Sequence, residues 1–169
     1  MLSIHIDGAS RGNPGYSGIG VVITKDNNKI AEYKEFIGMK TNNQAEYIAL
    51  KKALEIASSL DDENTVLSDS ELVINQRTNK YKVRNKQLKL LFREISNLEK
   101  YFRIVIYRHI PREINRYADS LANQAIDERI KYKNGGTWID GSREDSELIR
   151  FCFTEYEEKA FDWAAIISS

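Results

Sequence analysis

At Thr41 the hydrophobic period of this chain changes from two residues to 3.6, and that switch narrows the folds open to it. Upstream, apolar and polar residues alternate. Leu2, Ile4 and Ile6 share one side of a predicted strand over 2–7, with Ser3, His5 and Asp7 on the other. Residues 18–24 read as a second strand, and the turn sequence KDNNK leads into a third over 29–38. Such short connections imply antiparallel pairing. From Thr41 the signal is helical. Thr41 and Gln44 have the spacing of a capping box, and Ala45, Ile48, Ala49, Ala53, Ile56 and Ala57 fall on one helical face. A short strand over 65–68 then ends at Asp69, and Ser70 can cap a short helix over 71–76. An amphipathic helix over 86–101 carries Leu88, Leu91, Phe92, Ile95 and Leu98 at helical spacing. A fifth strand over 103–109 follows. Pro111 breaks the chain, and Asn115 can cap a last helix bearing Ala118, Leu121, Ala122, Ala125 and Ile126. The order β-β-β-α-β-α-α-β-α predicts an α/β fold, with a five-stranded mixed sheet flanked by helices.

From about Lys131 the pattern weakens, so the expected division is a domain over 1–130 and a C-terminal extension over 131–169. A strand over 148–154 and a short helix over 159–167 are expected in the extension, where Trp138 and Trp163 could pack against the body. With 41% hydrophobic and 30% charged residues, 169 residues suffice for one packed core and exclude a disordered chain. The formal net charge of +0 means that any polyanion binding must come from a local basic face. Cys152 is the only cysteine, so no intrachain disulfide can form and a reducing, cytoplasmic setting is expected. The N-terminus has no basic segment leading into an apolar run, and no stretch is apolar for long enough to span a bilayer.

Four acidic residues stand out by placement. Asp7 and Asp69 end the first and fourth predicted strands, and ligand sites of open α/β sheets gather at such ends. Glu46 and Asp119 lie in the first turns of helices, where the macrodipole tolerates negative charge. Four clustered acids would raise one another's pKa values unless cations compensate. An all-oxygen donor set without cysteine or a histidine cluster favours Mg²⁺ or Mn²⁺ over zinc. Each acid taken singly is weak evidence, since the chain holds 25 of them and most such groups are solvated.

The segments around these acids carry more. IDGASRGNPG, TNNQAEYIAL, LSDSELVI and HIPREINRYADSLA together resemble ribonuclease H of type 1, over residues 1–130 and in family order. The last segment fits the archaeal-like form R-x-x-N-x-x-A-D, here Arg112, Asn115, Ala118 and Asp119. The resemblance implies a ribonuclease H-like fold and an endonuclease that hydrolyses the RNA strand of RNA/DNA hybrids, leaving 5′-phosphate and 3′-hydroxyl ends. It implies that Asp7, Glu46, Asp69 and Asp119 hold two Mg²⁺ ions, with Mn²⁺ as an alternative. In the two-metal scheme one ion lowers the pKa of an attacking water and the other stabilises the leaving oxygen, about 3.5–4 Å apart.

The resemblance extends to further residues. His109 lies ten residues before Asp119, where family members hold a mobile histidine that assists turnover. Here Ile110 and Pro111 follow it in place of a flexible loop. His5 matches no family position and reads as structural. Asn13, in the Gly12–Gly15 turn, together with Asn42 and Asn43, corresponds to contacts with the RNA strand. There the 2′-hydroxyls lie in a shallow minor groove. Thr41 and Asn85 correspond to positions that hold a DNA-strand phosphate, although all of these residue types are also ordinary caps and turn formers. Lys80, Lys82, Arg84, Lys86 and Lys89, with Tyr81 among them, form the densest cationic run and could follow a nucleic-acid backbone. The long basic protrusion of some bacterial relatives is missing between Asp69 and Lys86. A monomer without membrane contact is expected, and double-stranded RNA as a further substrate is left open. Two other readings compete: another metal nuclease of this fold, and a binding module that has lost catalysis. The GNPG and TNN segments disfavour the first, and the intact carboxylate quartet disfavours the second.

Overall fold

The computed structural model describes residues 1–135. Three strands come first: β1 (Leu2–Ser10), β2 (Gly15–Lys25) and β3 (Asn28–Lys40). They form an antiparallel meander. The β2–β3 turn places Asp26 and Asn27 at φ 51° and 62°, the left-handed pair that a two-residue hairpin needs. Helix α1 (Asn42–Ala57) opens on the complete capping box. Thr41 Oγ1 accepts from Gln44 N, and the Gln44 side chain accepts from Thr41 N. Then follow β4 (Glu63–Ser68), α2 (Glu71–Arg77), capped by Ser70, α3 (Lys86–Glu99), capped by Asn85, and β5 (Ile104–His109). A single 3-10 turn (Arg112–Ile114) leads into α4 (Arg116–Gly135).

The sheet order is β3-β2-β1-β4-β5, with β4 parallel to both β1 and β5. The element order predicted such a five-stranded mixed sheet, and the arrangement is the ribonuclease H-like one that the resemblance implies. Helix α1, backed by α3, covers one face, where Leu2, Ile4, Ile6, Ile19, Val21, Leu50, Leu54 and Ile95 form the main core. Helix α4 covers β1, β2 and β3 on the other face, with Ala118 and Leu121 packed on Val22. Tyr47, Leu50 and Leu54 are buried beyond the predicted α1 stripe, and Ile48 only partly. Helix α1 is sandwiched between the sheet and α3, so more than one of its sides is covered.

Three expectations need correction or comment. First, β1 does not end at Asp7 but continues to Ser10, because β2 pairs with it as far as Ser10↔Ser17. Only the parallel pairing with β4 stops earlier, at His5↔Leu67. Second, Asn115 occupies the cap position, and its carbonyl accepts from Asp119 N at 3.1 Å, but its side chain does not cap. Third, α4 runs past residue 130 to Gly135. The strand expected over 148–154, the helix over 159–167, Trp138, Trp163 and Cys152 lie outside the described residues.

Candidate active site

The site forms where β4 stops and β1 goes on. Beyond the His5↔Leu67 pair, the β4 side of β1 is open, so side chains from both helical layers can reach one point. Close approach of the helices depends on glycines. A Cβ on Gly8 would collide with the backbone of Ala45 and Glu46, so α1 lies directly against β1 there. A Cβ on Gly20, the cross-strand partner of Asp7, would collide with the backbone of Ala118 and Ala122 of α4. Glu46 and Asp119 are thereby brought in from opposite faces.

Asp7, Glu46 and Asp69 each offer a carboxylate oxygen, all within 4.8 Å of one another. The Asp7 carboxyl also reaches hydrogen-bonding contact with Asp119. Three of the four acids singled out in the sequence thus form one group, and the fourth, Asp119, lies beside Asp7. Burial, reinforced by the charges of Asp69 and Asp119, pushes the Asp7 carboxyl up to about 8. Burial, followed by repulsion from Asp7 and Asp69, holds Glu46 well above the usual carboxylate range. The Glu46 carboxylate accepts a hydrogen bond from the Gly8 backbone, yet its buried Oε2 has no hydrogen-bond partner. An orphaned buried oxygen beside the carboxyls of Asp7 and Asp69 fits a bound cation, which would supply the missing partner. The donors are all hard oxygens, the set suited to Mg²⁺ or Mn²⁺.

Two asparagines hold this cluster. Asn115 is buried, and its Nδ2 donates to Ile6 O at 2.8 Å and to Asp69 Oδ1 at 3.2 Å, tying the loop before α4 to both β1 and Asp69. Asn123 Nδ2 donates to Asp119 O and Oδ1 at 3.0 and 3.2 Å. Sequence reasoning took Asn115 for a cap and passed over Asn123, whose only signal was its spacing of four from Asp119. His109 ends β5, exposed, with Nε2 3.3 Å from Asp69 O, at the rim of the cluster rather than inside it. His5 lies partly buried in β1, where burial lowers its pKa.

The remaining predicted residues line the approach. Asn13 Oδ1 accepts from Asn42 N at 3.2 Å, which ties the Gly-rich turn to the start of α1, and Asn42 and Asn43 are exposed there. Thr41 and Asn85 are both helix caps, and Gln44 and Gln87 join their two helix ends by a hydrogen bond. Asn85 Oδ1 accepts from Gln87 N and Leu88 N, so its oxygen is committed to the cap. Lys80, Lys82, Arg84, Lys86 and Lys89 are exposed beside that cap, as is Tyr81.

Comparison with known proteins decides the family. A family model described as reverse transcriptase-like matches residues 5–125. LC11 ribonuclease H1, solved in complex with an RNA/DNA hybrid, superposes with a TM-score of 0.74 at 42% identity, over 77% of this chain and 99% of that one. The chain belongs to the ribonuclease H type 1 family. Ribonuclease HI of Halobacterium salinarum is 40% identical over 126 residues, which cover 73% of this chain and 63% of that protein. A bifunctional protein of Mycobacterium tuberculosis is 44% identical over 127 residues, covering 73% of this chain and 35% of that protein. The chain thus spans about a third of the length of this mycobacterial relative. Among the described residues no helix is long and apolar enough to cross a membrane.

Proposed function

We propose that this protein is a metal-dependent endonuclease that hydrolyses the RNA strand of RNA/DNA hybrids, leaving 5′-phosphate and 3′-hydroxyl ends. The observation that carries this reading is the meeting of Asp7, Glu46, Asp69 and Asp119, with the buried Glu46 Oε2 left unpartnered, in a chain of the ribonuclease H type 1 family. Supporting it on the substrate side, the LC11 relative was solved with such a hybrid.

Asp7, Glu46, Asp69 and Asp119 would hold the ions. When bound, two Mg²⁺ or Mn²⁺ ions supply an activated water and stabilise the leaving oxygen. The protein's own contribution is placement. The open side of β1 admits a phosphate next to the cluster, and Asn115 fixes Asp69 against Ile6. His109, beside the Asp69 carbonyl, is placed to take up or deliver a proton as product leaves. Asn13, Asn42 and Asn43 present amides and a helix N-terminus to the RNA strand. Thr41, Asn85 and the cations between Lys80 and Lys89 face the DNA strand. The catalytic domain expected over 1–130 takes in every site residue, and α4 carries on from it to Gly135, into the expected extension over 131–169. The motif at Arg112, Asn115, Ala118 and Asp119 supports the archaeal-like branch, the single cysteine supports a cytoplasmic setting, and a monomer is the expected state.

The test is a strand-labelled RNA/DNA hybrid incubated with Mg²⁺, Mn²⁺ or chelator, beside duplex RNA, duplex DNA and the Asp69→Asn variant. Metal-dependent cuts confined to the RNA strand of the hybrid, and lost in the variant, are expected. Cuts in duplex RNA as well would widen the substrate class. Binding without cleavage under every condition would replace the enzyme by a recognition module.

A further inference from the structure

One chain of polar contacts outside the four carboxylates runs from the Gly-rich turn into the site. Arg11 opens that turn, and its backbone N–H donates to Tyr16 O at 2.9 Å across it. The Arg11 guanidinium then reaches α4 at two points one helical turn apart. Nη2 donates to Asn123 Oδ1 at 3.2 Å, and Nη1 pairs with Asp127 Oδ1 at 2.7 Å. Asn123 in turn donates through Nδ2 to Asp119 Oδ1. Residues 119, 123 and 127 follow one another at spacings of four along a single helix face.

We propose that Asn123 is a positioning residue for Asp119, with its amide orientation set by Arg11, so that the Gly-rich turn and the Asp119 carboxylate are coupled through one guanidinium. The inference rests on the reading of Asp119 as a metal-holding group. An asparagine amide can face either way, and only its NH₂ end favours a carboxylate. Arg11 has donors and no acceptor, so it must meet the amide oxygen, and the NH₂ is then directed at Asp119. A stability role is a poor alternative. The Arg11 and Asp127 side chains are 38% and 63% exposed, and ion pairs that open to solvent contribute little to stability. The same turn is held to α1 by Asn13 and Asn42, so it touches both helices that deliver acids to the cluster. Substrate contact at the turn would therefore be felt at Asp119.

The experiment titrates Mn²⁺ into the full chain without nucleic acid, by calorimetry or by loss of the free-ion resonance signal, and separately measures the Mn²⁺ dependence of hybrid cleavage. Asn123→Ala should weaken Mn²⁺ binding about tenfold, the low end for residues that orient metal ligands. Its KM for the hybrid should stay unchanged. Arg11→Ala, at an exposed position, should weaken binding in the same direction, and the double variant should be no worse than Asn123→Ala alone. Wild-type Mn²⁺ affinity in either single variant overturns the proposal. Additive losses overturn it too, as does an Arg11→Ala effect confined to KM, which would make Arg11 a phosphate contact. Mn²⁺ binding by a wild-type chain that cuts no hybrid would sink the enzyme reading and leave the coupling standing. A wild-type chain that binds no Mn²⁺ overturns both.

Discussion

Asp69 shows how much one residue's neighbours decide. It follows β4, accepts from Asn115 Nδ2, and lies beneath His109 through its carbonyl. Asp69→Asn keeps the shape and removes the charge, so hybrid cleavage should fall to background while the circular dichroism spectrum is retained. Cleavage near the wild-type rate would remove Asp69 from the site. Asn115→Ala should act on two levels, because it leaves the buried Ile6 carbonyl without its donor and frees Asp69. A cost of about 1–3 kcal/mol is expected in urea unfolding, together with slower cleavage. An unchanged midpoint would mean that the Ile6 contact contributes nothing. His109→Ala should slow turnover without abolishing it, as suits a group at the rim, and a wild-type rate would make His109 structural. The four acids were legible because each lies in a segment with its own sequence pattern. The asparagines beneath them were not. A capping residue and a side-chain strut look alike in sequence, and only the path of α4 past β1 turns Asn115 toward Ile6.

At the scale of elements, position was legible and extent was not. The caps, the two-period strands and the helical stripes located every strand and α-helix among the described residues, but not the 3-10 turn at Arg112–Ile114. Strand ends were misjudged because pairing, not local sequence, sets them. β1 reaches Ser10 since β2 accompanies it, through residues whose composition reads as turn. The glycines Gly8 and Gly20 also escaped notice, although they set how closely α1 and α4 lie on the sheet. Gly8→Ala tests this directly. The added Cβ meets backbone rather than a movable side chain, so α1 must shift, at a cost of about 1–3 kcal/mol. Glu46 moves with it, and cleavage measured well below the melting temperature should drop strongly. Full activity in a destabilised Gly8→Ala protein would show that the seating of Glu46 does not depend on this contact.

Across the whole molecule, the acid cluster should shape stability as a function of pH. The Asp7 carboxyl is raised to about 8 in the folded state, against an ordinary value of 3.8, and Glu46 is raised as well. Between those limits the folded protein keeps protons that the unfolded chain has released. Stability then falls with rising pH, because the unfolded state binds fewer protons than the native one. Other groups pull in the opposite direction at lower pH. Asp61 is held below its usual range by hydrogen bonds from Lys25 and the N-terminus, and its contribution is complete a little above the ordinary carboxylate range. Partly buried His5 opposes folding only while the unfolded chain would protonate it, below about 6.5. The interval from about pH 6.5 to 8 therefore isolates the cluster. In chelator the melting temperature should decline across it, and Asp7→Asn should flatten the decline and melt several degrees higher at pH 8. On the proposed reading Mn²⁺ would bind only the ionised cluster of the folded state, so its stabilisation should grow with pH over the same interval. A wild-type profile that is flat in chelator, or that Asp7→Asn leaves unchanged, would mean that burial does not hold a proton on Asp7 and Glu46.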